Sequence, residues 1–298
     1  MNVVALPRDV VKPSTSMVLL RVFLRRKIVA VGAVLVFITA VVGLVAPFFA
    51  VDPGHMDVAA RLTPPGATHW FGTDDLGRDV YARVVYGARL SLLVGVAVVL
   101  FSFAVGMTAG LSAGYFRRLD NPIMRVMDGL MAIPAIILAI ALMASLGPSV
   151  TNVIVAIGVV YSPRVARVVR GSVLVIRETA YVEAARALGV TNLMIILRHV
   201  LPNSLSPVIV QGSFVFAAAV LTEAALSFLG VGVPPYVPSW GNILSDGRLY
   251  LQQAPWLVLY PGAAIMLTIL GLTLLGDGVR DLLDPRLRGA AADQPRGT

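Results

Sequence analysis

Long apolar runs constrain this chain more than any other feature. Residues 28–49, 90–114, 126–146, 150–169, 207–231 and 256–276 each hold few charges, and their apolar residues come in blocks rather than at the three-to-four spacing of a soluble amphipathic helix. A helix needs roughly 20 apolar residues to cross the hydrocarbon of a bilayer. With 57% hydrophobic and 13% charged residues, the composition is that of a membrane protein. The pattern predicts an all-α protein with six transmembrane helices. The boundary between the third and fourth is the least marked, since only Gly147, Pro148 and Ser149 separate them. The first run outlasts the 7–15 apolar residues usual in a signal peptide, so it reads as a membrane helix.

Basic residues accumulate on cytoplasmic flanks. With the N-terminus inside, all of the 24 Lys and Arg except Arg61, Arg78, Arg83, Arg89 and Arg248 fall on inner segments. Both termini are therefore predicted to be cytoplasmic. The pI of about 10.3 does not point to nucleic acid, because the basic residues track the ends of apolar runs instead of gathering on one folded face. The absence of cysteine excludes disulfides and thiolate metal sites.

Two outer segments are long enough to carry structure. Residues 50–89 contain Asp52, Asp57, Asp74, Asp75 and Asp79, and residues 232–255 contain several prolines and Trp240, with Trp256 at the border. The second is predicted to form a structured cap. Asp74, Asp75 and Asp79 lack the spacing of a calcium loop; a turn cap at Asp74 or Asp75, with Arg78 and Asp79 tying the segment to the second helix, fits better. Within that helix Gly106, Gly110 and Gly114, preceded by Ser102, make a smooth ridge for close helix packing. The partner could be a helix of the same chain or of another subunit. Pro134 and Pro163 predict kinks.

Between the fourth and fifth runs stands "RETAYVEAARALGVTNLMIILRHVLPN", residues 177–203. Tyr181, Ala184, Ala185 and Leu188 share one helical stripe, Thr179 suits an N-cap, Glu183 lies near the positive end of the dipole, and Gly189 suits a left-handed helix end. A second helix follows Thr191, with Leu193, Ile196, Leu197, Val200 and Leu201 on one face, and is expected to stop at Pro202. This cytoplasmic hairpin could lie on the membrane surface, read DNA, or dock into a soluble partner. An apolar recognition helix argues against DNA, and the alanines permit a close fit to a partner.

"EAARALG" (183–189) and "HVLP" (199–202) resemble the EAA motif of bacterial ABC importer permeases, with matching spacing and His199 where the general pattern has Ile. "FGTDDLGRDVYARVVYGARLSL" (71–92), "LTEAALSFLGVGVPPYVPSWGNIL" (221–244) and "LLGDGVRDLLDPRLRG" (274–289) are similar to the second permease subunit of dipeptide, oligopeptide and nickel importers. The resemblance spans roughly residues 20–289. It implies the type I importer permease fold with a core at 90–280, preceded by a tail at 1–20 and a first helix plus outer segment at 21–89, and followed by a tail at 281–298. It also implies a bacterial inner-membrane location, a second permease of similar fold, two ATPase subunits that bind ATP and Mg, and an extracytoplasmic substrate-binding lipoprotein. Short peptides, dipeptides first, are the implied cargo, with nickel complexes or longer peptides as alternatives. Tyr181, Glu183, Ala184, Ala185, Leu188, Gly189 and Pro202 would form the ATPase-docking surface.

Glu223 is the acidic residue deepest in an apolar run, and such a group marks either the translocation path or a structural pair. Asp277, Arg280, Asp281 and Asp284 read as cytoplasmic salt links. No Walker A, H-E-x-x-H or G-x-S-x-G sequence occurs, and His55, His69 and His199 are dispersed. The chain is thus expected to be non-catalytic, with no metal or cofactor of its own, and to draw energy from another polypeptide. A secondary transporter or an intramembrane enzyme would instead need facing acidic or nucleophilic groups within the bilayer.

Overall fold

The computed structural model describes residues 27–283; the tail at 1–20 and Asp284 lie outside the described residues. These fold into helices: α1 (Lys27–Phe49), α2 (Val80–Tyr115), α3 (Arg117–Ala132), α4 (Ala135–Leu146), α5 (Val150–Ile176), α6 (Ala180–Ala187), α7 (Asn192–Ile195), α8 (Leu201–Phe228), α9 (Trp240–Gly247) and α10 (Trp256–Leu283). A π-turn over Ile196–Val200 joins α7 to α8. Helices satisfy their own backbone hydrogen bonds, which the hydrocarbon interior demands.

Among the described residues, five helical runs are long and apolar enough to cross a membrane, and a sixth is reached by counting α3 and α4 as one span bent by 94°. The run at 126–146 is therefore not the straight helix its length suggests. Pro134 has no N–H to donate and pushes Ile133 into extended backbone (φ −92°, ψ 131°). By contrast, Pro163 lies inside an uninterrupted α5. The second helix begins at Val80, earlier than residue 90, because Asp79 caps it by accepting from Ala82 N–H at 2.9 Å. Likewise α5 runs past residue 169 to Ile176.

The small-residue ridge of α2 faces α5 of the same chain. A Cβ added to Gly106 would lie 2.6 Å from Val165 Cβ, one on Gly110 2.6 Å from the Ala166 carbonyl, and one on Gly114 2.6 Å from Val173 Cβ. Ser102 Oγ donates to Gly158 O at 3.1 Å in the same groove. Around this seam Val94, Val98, Ile157, Val165, Val215 and Leu226 form the main core. A second cluster at the outer end joins Val80, Trp240, Ile243 and Leu257. Side chains of α1 such as Phe37 and Leu44 stay exposed, as suits a lipid-facing helix.

Candidate functional site

The hairpin after α5 is built by local signals. Thr179 stands at the N-cap of α6 with extended backbone, yet its hydroxyl donates to Ile176 O at 2.6 Å instead of capping. Glu183 lies in the first turn. Gly189 takes φ +78°, its N–H donates to Arg186 O at 3.0 Å, and Val190 N–H reaches back to Ala185 O at 3.1 Å, which closes the helix.

Burial divides the predicted stripe. Val182 and Ala185 turn into the core beside Ile195, Ile196 and Val200, whereas Tyr181, Glu183, Ala184, Leu188 and Gly189 are exposed. Leu188 is 85% exposed, and Leu193, Met194 and Leu197 extend the same apolar surface. The single face expected for Leu193, Ile196, Leu197, Val200 and Leu201 is likewise split. The π-turn adds a residue to the repeat and resets the register. It also corrects the expectation at Pro202: Leu201 N–H bonds to Ile196 O across the wide turn, and the proline sits at the start of α8, where a missing N–H costs nothing. His199, the departure from the motif, is half-buried with its ring 6.1 Å from that of Tyr181.

Side chains far apart in sequence pin this hairpin to the bundle. Arg177 Nη1 donates to Gly114 O at 2.7 Å, taking up a carbonyl at the end of α2, and Tyr115 Oη donates to Asn192 Oδ1 at 2.8 Å. Arg170 forks onto Asp120 at 2.5 and 2.7 Å, linking α5 to α3. Sequence reasoning missed these links, since each joins residues at least 50 positions apart. The hairpin is thereby tied to α2 by hydrogen bonds and is continuous in the chain with α5 and α8.

At the opposite end, Asp74 organises the outer cap. It is fully buried and accepts from the N–H groups of Leu76 and Arg78 at 2.9 Å, from Arg78 Nε at 2.6 Å and from Arg83 Nη1 at 2.5 Å. Asp246 of α9 accepts from both arginines at 3.2 Å. Asp79 pairs with His69 Nδ1 at 2.9 Å. Trp240 Nε1 donates to Val84 O at 2.8 Å and Trp256 Nε1 to Thr73 O at 3.1 Å, stapling residues 232–255 over α2. Carboxylate oxygens of Asp74, Asp75 and Asp246 lie within 4.8 Å of one another, but Arg78 and Arg83 occupy two of the three. This acidic group is an ion-pair network. Asp75 is left with Oδ1 buried and unbonded. Burial, then the charges of Asp74 and Asp246, push its carboxyl above the usual carboxylate range.

Glu223 is fully buried inside the chain. Ser227 Oγ donates to its Oε1 at 2.8 Å; the hydroxyls of Ser91 and Ser239 lie close by, yet Glu223 Oε2 and Ser91 Oγ are buried without a hydrogen-bond partner among the described residues. These neighbours join α8, α2 and the N-cap of α9. Asp277 and Arg280 lie in the last turns of α10.

Comparison with known proteins agrees with this architecture. Residues 102–289 match the family model described as "binding-protein-dependent transport system inner membrane component". A Brucella suis protein provisionally named a peptide transport system permease is 49% identical over 269 residues, covering 90% of this chain and 91% of that protein. The dipeptide transport system permease protein DppC of Alkalihalophilus pseudofirmus is 46% identical over 266 residues, covering 89% and 88%. Among solved structures, an inward-facing form of the MetNI methionine ABC transporter aligns with TM-score 0.57 at 19% identity, covering 68% of this chain and 96% of that one. That likeness concerns the fold alone and places the chain in the type I importer permease architecture. With its helical membrane core, its cytoplasmic hairpin and close relatives along nearly all its length, this chain belongs to the binding-protein-dependent transport system inner-membrane components: it is a permease of the bacterial inner membrane.

Proposed function

We propose that this permease is one half of the translocation path of an ATP-driven importer of short peptides, dipeptides first. A second permease of similar fold forms the other half, two ATPase subunits bind ATP and Mg and hydrolyse the nucleotide, and an extracytoplasmic lipoprotein delivers the cargo. This chain itself is non-catalytic and carries no cofactor. ATP binding draws the ATPases together, the hairpin follows, and α2, α5 and α8 move with it to change the open side of the path.

The observation that carries this reading is the hairpin's division of labour. Its inner face is locked by Val182, Ala185 and Ile195, while Tyr181, Ala184, Leu188, Leu193 and Leu197 offer an apolar surface of the kind a soluble partner covers. The relatives' names support peptides as cargo. Introducing Ala184→Trp into the assembled transporter tests the docking: ATPase subunits should no longer co-purify and dipeptide uptake should stop, while the permease still inserts. Unchanged assembly and uptake would refute it. Titrating the purified binding lipoprotein with dipeptides, longer peptides and nickel complexes tests the cargo separately.

A further inference from the structure

Between the α2–α3 turn and the hairpin lies a cavity of about 560 Å³, lined among others by Tyr115, Arg117, Arg118, Arg177, Glu178 and Arg186. Four guanidiniums there face one carboxylate, and that carboxylate is already taken, since Arg177 Nε donates to Glu178 Oε1 at 3.0 Å. Arg186 stands over the Tyr115 ring at 5.9 Å. Arg117 and Arg118 are exposed and have no carboxylate partner among the described residues. The excess positive charge therefore belongs to the cavity and is not neutralised by its walls. The N-terminus of the 16-residue α3 opens on the same side: Phe116 at the N-cap supplies no capping side chain, and Asp120, the acidic residue of the first turn, is already paired with Arg170.

The surroundings narrow the chemistry of the ligand. The cavity sits at the cytoplasmic ends of α2 and α5, at Tyr115 and Ile176, just past the apolar run of α2 and some residues beyond that of α5. Phe116 and Leu119 at its mouth are exposed apolar residues, and α3 beyond them is amphipathic with no buried residue. Arginine forks suit tetrahedral phosphate oxygens and tolerate an interfacial position. Basic pockets between spans are a recurrent means of holding lipid phosphates.

We propose that this cavity binds a phosphate-bearing anion, supplied by an anionic phospholipid headgroup or by free phosphate, and that bound anion braces the hairpin against α2. The proposal does not depend on what the hairpin docks, because its test reads binding rather than transport. The assembled transporter is placed in phosphatidylcholine nanodiscs with and without phosphatidylglycerol, and retained phosphatidylglycerol is counted by native mass spectrometry. Inorganic phosphate is titrated calorimetrically in the neutral discs as a second arm. R117Q/R118Q should weaken phosphatidylglycerol retention on the order of thirtyfold, as expected for two arginines at a membrane surface. Arg125→Gln, on the same helix but outside the cavity, should leave retention unchanged. If the double variant folds poorly, Arg118→Gln alone should still lower retention severalfold. A variant-sensitive response to phosphate in neutral discs supports the site and assigns it the soluble source. Equal binding by wild type and variants in both arms overturns the proposal, as does loss of the ATPase subunits from R117Q/R118Q in neutral lipid without any anion response in the wild type, which would make the cavity a partner contact.

Discussion

Arg83 bridges Asp74 and Asp246 with a side chain only 2% exposed, so its removal leaves a carboxylate buried with less compensation. Breaking a buried pair costs about 3–5 kcal/mol. Arg83→Ala should therefore lower the melting temperature of the detergent-solubilised transporter sharply, and adding Asp74→Ala should restore part of the loss. Asp75 behaves in the opposite sense. Its folded-state carboxyl holds a proton more tightly than the unfolded chain does, so stability declines as pH rises from the ordinary carboxylate value through the raised one. Asp75→Asn should be more stable than wild type at neutral pH, with the gap closing in acid; a gap independent of pH would contradict this. Glu223 should be structural: Glu223→Ala leaves the buried Ser227 hydroxyl short of its acceptor, at about 1–3 kcal/mol, whereas Glu223→Gln should retain most stability and dipeptide uptake. Loss of uptake in a stable Glu223→Gln transporter would instead put the carboxylate on the path. Local signals at this scale were partly legible: the turn at Asp74 and the left-handed Gly189 each depend on residues a few positions away, whereas the cap at Asp79 went unread and Thr179 does not cap as expected. Asp246 as partner of Arg83 was not, because 163 residues separate them and neither carries a mark of the other.

At the scale of elements, the α2–α5 seam depends on the absence of side chains. Gly110→Val would drive carbon into the Ala166 carbonyl and Val169, and overpacking of this kind costs about 1–3 kcal/mol. Gly129→Ala on α3 meets nothing within 4 Å and should be neutral in the same melting assay. The apolar runs and their order were readable from sequence, since length and hydrophobicity alone define a span. The internal geometry of those runs was less so. Pro134 signalled a break without its angle, and the same residue type at 163 left α5 intact. In the hairpin a 3.6-residue repeat predicted one apolar face, but the π-turn at Ile196–Val200 inserts a residue, and of that face Ile196 and Val200 are buried while Leu193 and Leu197 are exposed. The ridge of Gly106, Gly110 and Gly114 announced close packing without naming the helix that fills it.

The whole molecule is one bundle fastened at both ends. The outer cap is held by Asp74, Arg78, Arg83 and two tryptophans, and the cytoplasmic end by Arg177, Tyr115 and the hairpin. Membership in the permease family follows from relatives that span nearly the full chain, and sequence motifs distant from one another already pointed there. The cargo is a different matter, since the residues with identifiable roles here hold the fold or face the cytoplasm. In the proposed function the exposed side of the hairpin is gripped by a separate ATPase. The chain contains no cysteine, so Leu188→Cys introduces a single thiol on that surface. Treating the assembled transporter with a short crosslinker carrying a maleimide for that thiol and a photoreactive diazirine for whatever lies beside it should yield a permease–ATPase adduct whose amount changes when ATP is bound. A thiol that forms no adduct in any nucleotide state, and reacts instead with lipid-borne probes, would mean that the hairpin lies on the membrane and not against an ATPase.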